Sequence, residues 1–130
     1  MIDQSIILKK GTAATTVDGS NTAKAVGSGS LDVFATPMMV ALMEAAACNC
    51  LTDALAVGQS SVGTQISVDH TAASPLSAEI TAVATITSVD GRKITFDLSA
   101  HDNKNEIGKG THTRFIIDIE RFMSKLEKCF

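Results

Sequence analysis

Three side chains in this chain have the types and spacing of a proton relay: Thr36, Glu44 and His70. In such a relay an imidazole takes a proton from a hydroxyl or a water, and a carboxylate fixes its tautomer and balances its charge. Thr36 and Glu44 open and centre the stretch TPMMVALMEAAACNCL. On a helix, their eight-residue separation is about 12 Å along the axis and about 80° in rotation. Helical side chains lean toward the N-terminus, so Glu44 reaches toward Thr36. The gap left between them suits an imidazole with a hydrogen bond on either side. Each residue also has a plainer reading. Thr36 before Pro37 is a good helix N-cap, Glu44 reads as a buried carboxylate tied to a backbone N–H or to Arg114, and His70 reads as a satisfied core histidine. The spacing leaves open whether one subunit supplies all three or His70 crosses a dimer seam.

The helix that carries two of them is predicted over Thr36 to Leu51. Ala, Met and Leu give it strong propensity. Between Pro37 and Leu51 only Glu44 can carry a full charge. A helix apolar on nearly every side is expected to be buried on nearly every side, where an ionised carboxylate needs a partner or a task. The electropositive helix start suits an oxygen that becomes negative when a thioester or ester is attacked. Met38, Met39 and Met43 are adaptable enough to fill part of a small or medium acyl pocket.

His70 is placed by a change of period after Gly58. From Val62, one face carries Val62, Thr64, Ile66, Val68 and His70, and the other carries Gly63, Gln65, Ser67 and Asp69. That alternation reads as a strand with His70 on the face toward the helix. Gly63 lets a backbone N–H come close to a ligand, or marks a β-bulge. Further strands are predicted from Ala78 to Val89, through Ile94 to Ala100, and from Ile107 to Asp118, with a tight turn at Asp90–Gly91 and another at Asp102 to Asn105. His112 and Arg114 read as the polar face of the last strand. Ser5 to Leu8 reads as a short first strand, Gly11 to Ser30 as loop with one strand fragment, and Glu120 to Lys128 as a terminal helix. The outline is α+β: a long helix wrapped by a curved antiparallel meander, the hotdog fold, in a single domain over residues 1–130. Its open edge and flank predict a homodimer or tetramer.

Composition sets the bounds. The chain has 130 residues, 45% of them hydrophobic, and its five aromatic residues are all Phe, so the core is aliphatic, Met and Ala. A net charge of −3 with scattered Lys and Arg argues against a nucleic-acid partner. No apolar run is long enough for a membrane span, and Lys9 and Lys10 interrupt any leader. Three cysteines, Cys48, Cys50 and Cys129, fit reduced thiols in a cytoplasmic protein. Their spacing matches no zinc pattern, and no metal or other cofactor is expected. Gly108–Lys109–Gly110–Thr111 lacks the earlier glycine and the strand–helix setting of a phosphate loop.

Longer stretches carry a resemblance. Val33–Phe34–Ala35–Thr36, Met39–Val40 and Leu42–Met43–Glu44 resemble the helix start of the fluoroacetyl-CoA thioesterase family. So do Val62–Gly63–Thr64, His70–Thr71–Ala72–Ala73 with Pro75, and Glu106–Ile107–Gly108 with Gly110–Thr111–His112 and Arg114. The similarity runs from Leu31 to Lys128. It implies a dimeric hotdog thioesterase acting on a short or medium acyl-CoA, with CoA present only as part of the substrate. It implies Thr36, Glu44 and His70 as catalytic residues, with Gly63 and Arg114 lining the site; Val33 and Phe34, at the helix start, join the substrate-binding candidates. Where the fluoroacetyl-specific member sets two Phe side chains as a lid, this chain has Gly27 and Ser30, so the resemblance supports thioester hydrolysis without fluoroacetate as its object. The alternative is a non-catalytic hotdog dimer that only binds acyl-thioesters.

Overall fold

The computed structural model of the chain describes residues 2–130. Its elements are β1 (Lys10–Thr16), α1 (Ala23–Val26), α2 (Thr36–Leu51), β2 (Gln59–His70), β3 (Glu79–Asp90), β4 (Lys93–His101), β5 (Glu106–Asp118) and α3 (Ile119–Cys129). One antiparallel sheet of five strands runs β1-β3-β4-β5-β2, with α2 packed chiefly on β1 and β3. This is the α+β hotdog arrangement. The meander expected from the sequence holds for β3, β4 and β5 only. The long link from Thr71 to Ala78 is no hairpin, and it frees β2 to pair with β5 at the far edge.

The first strand differs from expectation. Gln4–Ile6 forms a short 3-10 turn, Leu8 takes a positive φ of 76°, and the strand starts at Lys10 and runs on to Thr16, into the supposed loop. Gly11 explains its place: a Cβ there would collide with the Ala46 carbonyl and the Cys50 backbone, so only glycine lets β1 lie this close to α2. The loop also hides α1, capped by the Thr22 side chain on Ala25 N–H.

Helix α2 has the predicted bounds but not the predicted burial. Met39, Met43, Ala46, Ala47, Cys50 and Leu51 are buried, whereas Ala41, Ala45 and Cys48 are exposed. A single sheet covers one side of a helix, and the other side here is small and apolar. Its N-cap is Ala35, and no side chain caps it, so Thr36 is not the cap that its position before Pro37 suggests.

The alternation along β2 inverts at a bulge. The β2–β5 register shifts between Gly63 and Gln65, with Thr64 as the extra residue. Gly63 therefore shares the inner face with Ile66, Val68 and His70 rather than opposing them. His112 and Arg114 are likewise inner and buried, not the polar face read from the sequence. No helix among the described residues is long and apolar enough to cross a membrane.

Candidate active site

The segment leading into α2 is stitched on both sides. Phe34, itself buried, donates its N–H to the Ser74 carbonyl at 2.9 Å, and Ala35 N–H goes to the Asn21 carbonyl at 3.0 Å. Ser74 is buried too, and its hydroxyl donates to Asp102 Oδ2 at 3.0 Å. Asp102 in turn accepts from the N–H groups of Lys104 and Asn105, each at 2.8 Å. The turn between β4 and β5 thus braces the chain that follows β2, and that chain braces the start of α2. The two segments so joined carry His70 and Thr36.

The result is a direct contact: Thr36 Oγ1 lies 2.8 Å from His70 Nδ1. The other ring nitrogen of His70, Nε2, is buried and has no hydrogen-bond partner among the described residues. Burial holds the imidazole below its ordinary pKa of 6.5, partly opposed by the nearby Ala72 backbone. The ring is neutral near pH 7 and able to take a proton. A cavity of about 260 Å³ opens at this pair, lined by Ala23, Val33, Phe34 and Ala72 among others. Val33 and Phe34, substrate-binding candidates from the sequence, thus line it. The methionines do not: Met39 and Met43 are fully buried in the core, and Met38 packs against it.

Glu44 does not join this pair within the chain. Its Oε2 accepts from Arg114 Nη1 at 3.3 Å, which is the plainer of the two readings given to it. Its side chain is 41% exposed rather than sunk in the core. Gly63 lies beside it, where an added Cβ would meet Glu44 Oε2 at 2.9 Å, Arg114 Nη1 at 3.2 Å and His112 Cε1 at 3.2 Å. The sequence candidates thus fall into two groups, Thr36 with His70 at one end of β2, and Glu44 with Arg114 beside Gly63. Sequence reasoning missed three members of the second group: Ser61, the Gln65 carbonyl and His112. Ser61 accepts from Arg114 Nε at 2.8 Å through its hydroxyl and from Nη2 at 3.1 Å through its carbonyl. Gly63 was the one available signal, since the bulge it opens turns this stretch inward.

A sequence model described as the fluoroacetyl-CoA-specific thioesterase (FlK) matches residues 17–120. The chain belongs to the FlK family. A curated relative, the fluoroacetyl-CoA thioesterase of Streptantibioticus cattleyicolor, is 44% identical over 97 residues, covering 75% of this chain and 70% of that protein. A solved structure of a phenylalanine-to-alanine mutant of FlK superposes with a TM-score of 0.90 at 35% identity, covering 98% of this chain and 99% of the other. A threonine-to-serine mutant of FlK, solved in complex with acetyl-CoA, gives a TM-score of 0.86 at 36% identity over 94% of this chain and 96% of that one. The FlK family consists of hotdog-fold thioester hydrolases, and the present chain is a homologue within it.

Proposed function

We propose that this protein hydrolyses a short or medium acyl-CoA thioester to the free acid and CoA, with Thr36, His70 and Glu44 as its catalytic residues. The observation that carries the reading is the 2.8 Å contact between the Thr36 hydroxyl and His70 Nδ1, at an uncapped helix start beside a small cavity. With Nδ1 accepting from the hydroxyl, His70 carries its hydrogen on Nε2. That buried N–H then lacks an acceptor, and a carboxylate is the acceptor that would also stabilise the imidazolium formed on proton transfer.

We place that carboxylate in a second copy of the chain. Strand β2 is an edge strand of 12 residues. Antiparallel addition of another β2 about a two-fold axis near Ile66 sets the His70 end of one copy against the Gly63 region of the other, where Glu44 stands. The open apolar side of α2 supplies further surface for that pairing. Each site then takes Thr36 and His70 from one subunit and Glu44 from its partner.

In the reaction His70 takes the Thr36 proton as the oxygen attacks the thioester carbonyl. The electropositive start of α2 faces the oxyanion. Collapse expels the CoA thiolate, which recovers the proton from His70, and a water repeats the sequence on the acyl-threonine ester. The hydroxyl already in contact with the base favours Thr36 over water as the first nucleophile. Gly27 and Ser30 place no bulky apolar group over the cavity, so we read the acyl selection as one for size, with acetyl-CoA and other short acyl groups as substrates.

The test is CoA release from a panel running from acetyl- and fluoroacetyl-CoA to medium chains. Turnover of several short acyl-CoAs, lost in Thr36→Ala and in His70→Ala, is the expected result. Calorimetric binding without turnover at any chain length would instead leave the non-catalytic dimer.

A further inference from the structure

His112 lies within β5, 1% exposed, with its ring stacked on Phe96 at a centroid distance of 6.1 Å. Nδ1 is 2.6 Å from the Gln65 carbonyl. A carbonyl only accepts, so Nδ1 carries the hydrogen. In the neutral ring Nε2 is then a bare acceptor, and Arg114 Nη1 donates to it at 3.1 Å. The same Nη1 has a second hydrogen, and Glu44 Oε2 accepts that one at 3.3 Å. Ser61 holds the rest of the guanidinium through its hydroxyl and its carbonyl. Four of the five guanidinium hydrogens are thus assigned, and the imidazole takes one of the two on Nη1, leaving the other for the carboxylate. Glu44 Oε2 and His112 Nε2 stand 3.9 Å apart, two acceptors separated by the fork they share.

We propose that His112 is a positioning residue for Glu44: as a neutral acceptor it sets the Arg114 fork, and the fork sets the carboxylate. This rests on the reading that Glu44 works in thioester hydrolysis. Protonation would turn Nε2 from acceptor to donor, set it against the Arg114 N–H and make it compete for Glu44 Oε2. The charged groups facing the ring are Arg114 on its own strand and Glu44 on α2; β2 offers the Gln65 carbonyl and β4 the Phe96 ring. Burial first, and the Arg114 cation after it, hold the imidazole neutral. Turnover then requires two unprotonated imidazoles, His70 as base and His112 as positioner.

The experiment compares kcat/KM against pH for wild type, His112→Gln, His112→Phe and Glu44→Gln. Gln keeps one donor and one acceptor, whereas Phe fills the space beside Phe96 with neither. On the acid side, log kcat/KM should approach a slope of about 2 in wild type and about 1 in His112→Gln. In His112→Phe, kcat should fall about 10-fold to 100-fold with KM nearly unchanged, and His112→Gln should recover most of it. Nitrogen NMR of the wild-type protein should show a protonated Nδ1 and a bare Nε2 on His112, the latter shifting in Arg114→Lys. A wild-type slope of about 1, full kcat in His112→Phe, or a ring protonated at Nε2 would each overturn the role. Should the Phe variant not fold, the slopes and the NMR still decide. If Glu44→Gln turns over normally, the catalytic reading falls and the positioning role with it. If Glu44→Gln is dead and His112→Phe is normal, only the positioning role falls.

Discussion

Glu44 Oε2 stands 3.3 Å from Arg114 Nη1, and the two side chains are unequally buried, 41% exposed for the acid and 8% for the base. Arg114 needs this carboxylate, because a buried guanidinium without a counter-charge is costly. The carboxylate still has free lone pairs turned outward. Glu44→Gln keeps the shape and one acceptor oxygen for Arg114 but removes the charge that would balance a protonated His70. We expect kcat to fall about 10²-fold or more, as for loss of a general acid–base component. The folded state should persist, with circular dichroism unchanged. Wild-type turnover in this variant would remove Glu44 from the mechanism.

Two glycines separate fold from function. At Gly11 an added Cβ runs into backbone atoms of Ala46 and Cys50, which cannot move without displacing α2. Gly11→Ala should cost about 3 kcal/mol or more, at the upper end for overpacked cores, and be read as a lowered urea midpoint. At Gly63 the obstacle is the end of the Glu44 side chain, 2.9 Å away, which can swing outward. Gly63→Ala should keep most of the stability and lose activity, because the carboxylate leaves Arg114. Equal losses of stability in the two variants would contradict this division.

The helix was readable because propensity, a proline near its start and a long apolar run agree over the whole of Thr36–Leu51. The contact of Thr36 with His70 was readable because both residues sit at element ends that face each other in any sheet wrapped on this helix. The grouping of Glu44 was not. It depends on the bulge at Gly63–Gln65, which inverts the inner face of β2, and on the inward turn of His112 and Arg114. A one-residue insertion leaves no trace in a period-2 pattern read by eye. The bounds of strand β1 were missed for a different reason: after Lys10 it is Gly, Ala and Thr, small enough to pass under α2 but without the large apolar residues that signal a strand.

Stability should fall as the solution is acidified past the ordinary imidazole range. His70 and His112 both titrate below 6.5 in the fold, chiefly because burial disfavours the cation. Between the folded and unfolded values the unfolded chain binds more protons, so stability rises with pH there. The contribution is complete above the unfolded value and is lost as pH falls through the folded ones. Asp18, Asp53 and Asp102 are lowered from 3.8, by hydrogen bonds to each and, at Asp53, foremost by the one from Lys9, so their losses belong to a more acidic window. Urea midpoints should be flat from about pH 8 to 7 and decline below about 6.5, before the carboxylates titrate. A midpoint that holds steady from about pH 7 to 5 would show that neither ring is buried as described.

The sharing of the site between subunits can be tested without a second structure. If Thr36 and His70 of one subunit work with Glu44 of its partner, a dimer of Glu44→Gln and His70→Ala chains holds one site with both changes and one with neither. Co-refolding the two inactive variants in equal amounts makes hybrids of about half the dimers, each with one intact site of two, so about a quarter of wild-type activity should return. A site built within one chain predicts no recovery, since every chain in the mixture is then defective. Each variant must first sediment as a dimer on its own, which also tests whether the chain pairs at all. The returned activity should carry the wild-type KM, because the restored site is unaltered. A mixture as inactive as its components, with hybrids verified by mass, would rule out a site shared between subunits in this way.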